Sequence, residues 1–332
     1  MKRYLPITAL TVCIILFSLP GKAQSTIKHD KILGADISWL PQFEDQGKKF
    51  YDDDSTAKDA ITILKEHGFN YIRLRIFNNP RADSGYSKKG YCDLDQTLKM
   101  AKRIKAAGLG FLLDFHYSDN WADPGKQHMP SAWKNADYAQ LQDSVTAFTE
   151  KVLKALKQQN TLPDMVQVGN EINHGMMWPV ANIKHLDTLA AMLRAGVKGV
   201  KAVDKHAEIM LHIACGGQNK ESRFFLDNMI SRKVKFDIIG ESYYPEWHGT
   251  PAELKANLTD LATRYKQDVI VVEYTKYKNE VNDIEFNLPD NKGKGTFIWE
   301  PLNYQEAVFD RTGHENDFMK VYPKIAEKYQ IK

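Results

Sequence analysis

Cysteine is nearly absent from this chain: Cys13, Cys92 and Cys215 are the only three in 332 residues. Cys13 falls inside an N-terminal apolar run, and two distant cysteines make no disulfide framework. Buried free thiols are expected, although an oxidising compartment would permit Cys92 and Cys215 to pair. A surplus of charge is missing too. The formal net charge of +3 equals the contribution of Lys2, Arg3 and Lys22, which all lie in the first 23 residues. The rest of the chain is balanced and has no block of like charge, which argues against nucleic acid or an anionic membrane as partner and suits a neutral ligand. No Ser/Gly/Pro-rich linker and no second composition regime occur, so a single domain is the economical reading. Finally, no glycine-rich phosphate loop follows the first β-type run, LGADISWLPQF, which weighs against a doubly wound open sheet.

What is present begins with a leader. MKRYLPITALTVCIILFSLPGKAQ has a basic head, an apolar run over residues 5–19 that is short for a membrane span, and Gly21-Lys22-Ala23 before Gln24. It reads as a signal peptide, 1–23, removed on export to the periplasm, the cell surface or the medium, with a catalytic domain over 24–332. Cys13 does not fit a lipid-attachment site, because Val12 precedes it and six more residues of the run follow it.

Beyond the leader, apolar β-type runs alternate with helical segments. The runs are 33–37 (LGADI), 71–77 (YIRLRIF), 110–116 (GFLLDFH), 165–171 (MVQVGNE), 209–214 (IMLHIA), 236–243 (FDIIGESY), 269–273 (VIVVE) and 295–299 (GTFIW). Helical patterns over 56–67 and 95–107 stop at Gly68 and Gly108, in the position where a left-handed residue ends a helix. Others cover 138–159 and 183–204, and Thr250-Pro251-Ala252-Glu253 is a capping box with proline in the first turn. Eight parallel strands with covering helices close a (β/α)8 TIM barrel, one domain. TKYKNEVNDIEFNLPDNKGK, before the eighth run, shows no convincing amphipathic period, so the seventh helix is expected to be reduced or absent.

The active site of such a barrel lies at the C-terminal strand ends. Here those ends carry Asp36, Arg73, Arg75, Asp114, His116, Asn170, Glu171, His212, Glu241, Tyr243, Tyr244, Glu273, Trp299 and Glu300. Strand alternation places Gln167, Gly169 and Glu171 on one face, and Val269, Val271 and Glu273 on another. A glutamate at a strand tip is often only a solvated charge. Two on one rim can instead divide into acid and nucleophile, the requirement of glycoside hydrolysis, with a separation of about 5–5.5 Å for retention or about 6.5–9.5 Å for inversion.

LGADIS, YIRLRIF, LLDFHYSDNWADPGKQHMPSAW, VQVGNEIN, GESYYPEWHGT, VVEYT and FIWEP, spread over nearly all of the chain beyond the leader, resemble glycoside hydrolase family 53, the arabinogalactan endo-β-1,4-galactanases. The resemblance implies a retaining barrel acting on the β-1,4-galactan side chains of pectin. It implies Glu171 as acid/base, Glu273 as nucleophile and Asn170 as a partner of the sugar 2-hydroxyl. Tyr244, or less so Tyr243, would hold Glu273. Arg75, His116 and His212 would surround the pair, with Arg75 keeping Glu273 ionised. Trp299 would underlie the sugar at the cleavage point, and Trp121, Trp247 and Asp119 would line neighbouring subsites. The short segment after Glu273 departs from relatives that carry a longer, sometimes calcium-binding insertion there, so no cofactor and no obligatory metal are expected. A monomer is expected. Another retaining endo-glycosidase, a mannanase or cellulase, and a non-catalytic glycan binder on the same barrel are the alternatives.

Overall fold

The computed structural model describes Met1 and residues 30–332; the leader and Cys13 lie outside the described residues. Eight parallel strands close a barrel in which each strand pairs with its chain neighbours and the last pairs with the first. They are β1 (Ile32–Asp36), β2 (Tyr71–Ile76), β3 (Gly110–Phe115), β4 (Met165–Val168), β5 (Glu208–Ile213), β6 (Ile238–Tyr243), β7 (Asp268–Tyr274) and β8 (Gly293–Trp299). One covering helix follows each strand: α1 (Ala60–Glu66), α2 (Leu94–Ala106), α3 (Tyr138–Gln158), α4 (Leu186–Val203), α5 (Asn219–Ser231), α6 (Pro251–Arg264), α7 (Lys278–Phe286) and α8 (Val321–Tyr329); two short helices, Leu40–Asp45 and Pro245–His248, lie in the connections after β1 and β6. The local punctuation acts as the sequence indicates. Gly68 and Gly108 adopt φ of 91° and 72° just past α1 and α2, and Thr250 and Glu253 form both bonds of the capping box that opens α6. Cys92 and Cys215 are buried free thiols.

The lumen is filled from the floor upward. Ile32, Tyr71, Leu112, Met165, Met210, Ile238, Ile270, Val272 and Phe297 form a closed apolar plug, separate from the larger core between strands and helices. Ring and gap alternate around it. Gly34 lies between Phe297 and Tyr71 in the ladder, and the two rings meet edge to face at 5.8 Å. A β-carbon on Gly34 would fall 2.2 Å from Phe297 Cδ1, so the absent side chain is what admits the ring. Two residues further along the same inward faces the plug gives way to Asp36, Arg73, Asp114, Gln167 and His212, all buried. This change from apolar floor to polar upper layer positions the site. The floor also brings the segment before β1 to the segment after α8: Asn70 Nδ2 donates to the carbonyls of Lys31 at 2.9 Å and of Lys332 at 3.1 Å.

The seventh helix exists, reduced to nine residues. Its buried positions are Lys278, Val281, Asn282, Glu285 and Phe286, which recur at helical spacing, but three of the five are polar. Asn282 receives Thr296 Oγ1 at 2.8 Å and donates to Tyr274 Oη at 3.1 Å. A helix seated by hydrogen bonds carries no apolar stripe, which is why the pattern was silent here. Among the described residues no helix is long and apolar enough to cross a membrane.

Candidate active site

A groove of about 700 Å³ opens at the C-terminal ends of the strands, and Glu171 and Glu273 both line it. Neither carboxyl arrives there by simple strand alternation. β4 stops at Val168; the chain then turns through Gly169 at φ 90° and Glu171 at φ 47°, ψ 55°. A left-handed conformation at a non-glycine residue costs of order 1–3 kcal/mol and persists only where its surroundings hold it. Here the side-chain amide of Gln127 clamps the carbonyls of Asn170 and Glu171, at 2.8 and 3.2 Å. On β7 the alternation is broken outright. Ile270 and Val272 belong to the lumen plug, whereas Val269 and Val271 pack outward against the helices. By parity Glu273 would follow Val271 outward. The ladder to β6 slips, pairing Glu241 with Val271 and Ser242 with Glu273, and this β-bulge turns Glu273 into the groove directly after the inward Val272.

The two carboxyls have different surroundings. Glu273 Oε1 accepts from Arg73 Nη1 at 2.7 Å, and its Oε2 accepts from Tyr244 Oη at 2.9 Å. Arg73 is fully buried and is also bound to Asp36 at 3.0 Å, Asp114 at 2.9 Å, Asn170 Oδ1 at 3.0 Å and Gln167 Oε1 at 3.2 Å. Burial opposes the charge on Arg73, but Asp114, Glu273 and Asp36 outweigh it and raise its pKa. Among the described residues no cation is bonded to Glu171; its Oε1 accepts from Ser242 Oγ at 2.7 Å. Burial, and then the charge on Glu273, drive the Glu171 pKa well above the ordinary carboxylate value. Burial also raises Glu273, with Arg73 opposing it. A groove that binds one carboxyl to a cation and raises the pKa of the other by burial and like charge can combine nucleophilic attack with proton donation.

The walls of the groove differ in chemistry. Trp39, Trp121, Trp299 and Tyr304 form one side, with Trp299 edge-on to Tyr304 at 4.6 Å, to Trp39 at 5.5 Å and to Trp121 at 6.1 Å. Asp123, Lys126, His174, Glu221 and the largely exposed Trp247 also line the groove. Among the described residues no cluster of His, Cys, Asp and Glu is arranged to hold a metal ion.

Residues 32–294 match glycosyl hydrolase family 53. The chain is 38% identical to an uncharacterised protein of Niallia circulans, over 86% of this chain and 88% of that one. It is 32% identical to arabinogalactan endo-β-1,4-galactanase A of Emericella nidulans, over 81% and 84%. Its fold superposes on the Ignisphaera aggregans GH53 catalytic domain with a TM-score of 0.83 at 32% identity, covering 88% of this chain and 95% of that one. The class is therefore that of the glycoside hydrolase barrels. The chain belongs to glycosyl hydrolase family 53.

Of the residues singled out from sequence, Glu171, Glu273, Asn170, Arg75, His116, Trp121, Tyr244, Trp247 and Trp299 all line the groove. Three expectations need correction. Arg75 does not touch Glu273: it pairs with Glu300 at 2.6 Å and Asp36 at 3.4 Å and lies 4.2 Å from the Trp121 ring, so it buttresses the aromatic wall. The cation on Glu273 is Arg73. Tyr243 points outward, packs in the core beneath the helices and donates to the carbonyl of Gly249 at 3.0 Å. Asp119 is absent from the groove; it ties loops together by accepting from the backbone N–H of Asn79 at 3.0 Å and of Ser131 at 2.8 Å. His212 lies beneath the groove, bonded to Ser242, Gln167 and Asn170. Missed from sequence were Arg73 as the central cation, Trp39, Tyr304, Gln127 and Ser242. Only Arg73 carried a usable signal, a charged residue on the inward phase of a strand.

Proposed function

We propose that this chain is a retaining endo-β-1,4-galactanase that cleaves the β-1,4-galactan side chains of pectin by double displacement. The observation that carries the reading is the unequal placement of two buried carboxyls in one groove, Glu273 on Arg73 and Tyr244, Glu171 on Ser242. Family membership and the galactanases among its relatives support the substrate.

Glu273, held by two donors, attacks the anomeric carbon while Glu171 gives its proton to the departing glycosidic oxygen. The galactosyl ester so formed is cleaved by water, with Glu171 now taking the proton. One N–H of Asn170 Nδ2 is occupied by the carbonyl of Ala122 at 2.9 Å; the other meets no acceptor among the described residues and serves the sugar 2-hydroxyl. Trp299 supplies the flat surface beneath the reacting sugar, with Trp121 and Trp247 at neighbouring subsites. The enzyme works as an exported monomer, with residues 1–23 as its leader, 24–332 as the mature domain and no cofactor.

The test is NMR of the first product released from β-1,4-galactan. Retention and this substrate class require the β-anomer first, and an initial α-anomer, or turnover of mannan or cellulose in preference to galactan, would overturn the reading. The pH profile of kcat/KM should be a bell with both limbs displaced upward. Activity falls at low pH as Glu273 takes a proton, at a pH above the ordinary carboxylate value of 4.5 because its pKa is raised. It falls at high pH as Glu171 loses its proton, and that limb lies further up because Glu171 is driven well above the same value.

A further inference from the structure

Proton placement on Glu171 can be followed backward through its partners, because each hydrogen bond fixes the direction of the next. The backbone N–H of Glu171 points at His212 Nδ1 at 3.4 Å, and a backbone N–H only donates. Gln167 Nε2 approaches the same nitrogen at 2.9 Å. The orientation of that amide is fixed, since Gln167 Oε1 accepts from Arg73 Nε at 3.2 Å while its Nε2 donates to Asp114 Oδ1 at 2.7 Å. Two donors therefore meet at His212 Nδ1, which must present its lone pair. Asn170 Oδ1, 3.0 Å from the ring nitrogen, already accepts from Arg73 Nη2 at 3.0 Å, so it requires no ring hydrogen.

With Nδ1 an acceptor, the neutral ring carries its hydrogen on Nε2. That N–H faces Ser242 Oγ at 2.8 Å, so Ser242 accepts from the ring and its one hydrogen is directed to Glu171 Oε1 at 2.7 Å. Burial, and then the charge of Arg73 on β2, hold the ring neutral; His116 beyond β3 and His248 beyond β6 also face it. The groups facing Glu171 are Glu273 on β7, Asp123 beyond β3 and Arg73. We propose that His212 and Ser242 are positioning residues for proton delivery: the chain Gln167–His212–Ser242 occupies Glu171 Oε1 with a donated hydrogen bond, so the catalytic proton is confined to Oε2, the oxygen free to face the leaving group.

This inference rests on Glu171 being the acid/base, and the test separates the two ideas. Ser242→Val and Ser242→Thr are close in shape and differ in the hydroxyl. Each is assayed on β-1,4-galactan, whose leaving group needs a proton, and on a 2,4-dinitrophenyl β-galactobioside, whose leaving group does not. Ser242→Val, and Ser242→Ala alongside it, should lose about 10–100-fold in kcat/KM on galactan, the effect of one hydrogen bond to a charged group, and less than about 3-fold on the aryl substrate. The alkaline limb should also move to higher pH, because a donor to the ionised form has been removed. Ser242→Thr should keep the wild-type ratio of the two substrates.

Equal losses on both substrates, or an unmoved alkaline limb, would mean that Ser242 only packs, and would overturn the proposal. Glu171→Ala is run in parallel. If it too loses equally on both substrates, the acid/base assignment fails first; if it loses selectively and Ser242→Val does not, only the positioning role fails.

Discussion

Glu171→Ala is expected to lose about 10²–10⁴-fold in kcat/KM on galactan, the range that general acid catalysis supplies. It should retain most of its first-step rate on a dinitrophenyl galactoside. Glu273→Ala should fall to background on both substrates, because no leaving group relieves the want of a nucleophile. Added azide distinguishes the two further. In Glu171→Ala a galactosyl-enzyme still forms, and azide entering the vacated space traps it as the β-azide. In Glu273→Ala azide takes the place of the nucleophile itself and yields the α-azide. Both variants should fold, since each removes a buried carboxyl that is raised in pKa by burial. Substantial galactan hydrolysis by Glu273→Ala, or the same azide anomer from both variants, would reverse the assignment of roles.

The second large effect is on stability as well as rate. Arg73→Met removes the cation that bridges buried Asp36, Asp114 and Glu273, and leaves Asp36 only its longer pairing with Arg75 at 3.4 Å. Stranding buried charge in this way costs about 3–5 kcal/mol, so the midpoint of denaturant unfolding should drop clearly at neutral pH and activity should vanish. The pH dependence has a definite sign. Burial already raises the Glu273 pKa against the opposing charge of Arg73, so removing Arg73 moves it further up. A raised group favours the folded state below the unfolded pKa and works against it as pH increases. The deficit of the variant relative to wild type should therefore shrink as pH falls toward the carboxylate range. An equal deficit at pH 7 and pH 4.5 would show that the loss is one of packing alone. Arg73→Lys should recover only part of the stability, since one ammonium cannot reach Glu273, Asp36, Asp114, Asn170 and Gln167 together.

The barrel was legible because its signals are local. Eight apolar runs, glycines after helices and a capping box each declare an element without reference to the rest. The site was legible only where motif and strand phase agreed. Glu171 and Glu273 were found through their neighbours VGNEIN and VVEYT, while the alternation invoked for Glu273 pointed it away from the groove; a bulge that no residue type announces restored it. Arg73 and Arg75 show a different limit. They share a face, so alternation cannot rank them, and their depths differ by about 6.6 Å at the rise of a strand. Which of the two meets Glu273 depends on the stagger between strands, a property of closure. Tyr243 and Tyr244 are separated by the lumen phase, since Ile238, Gly240 and Ser242 lead to Tyr244, but the phase becomes certain only when the barrel is seen. Ser242 gave least warning, because it is a small polar residue; His212 was flagged beside the pair, but its meaning, like that of Ser242, lies in the direction of hydrogen bonds.

The gathering of Lys31 and Lys332 at Asn70, on the floor of the barrel, has a practical consequence. Both ends of the folded domain leave from the side opposite the groove. A tether at either end, whether a linker to a bead, a fused carbohydrate-binding module or an attachment to a cell envelope, would hold the enzyme with its mouth facing outward toward a polymer too large to diffuse past it.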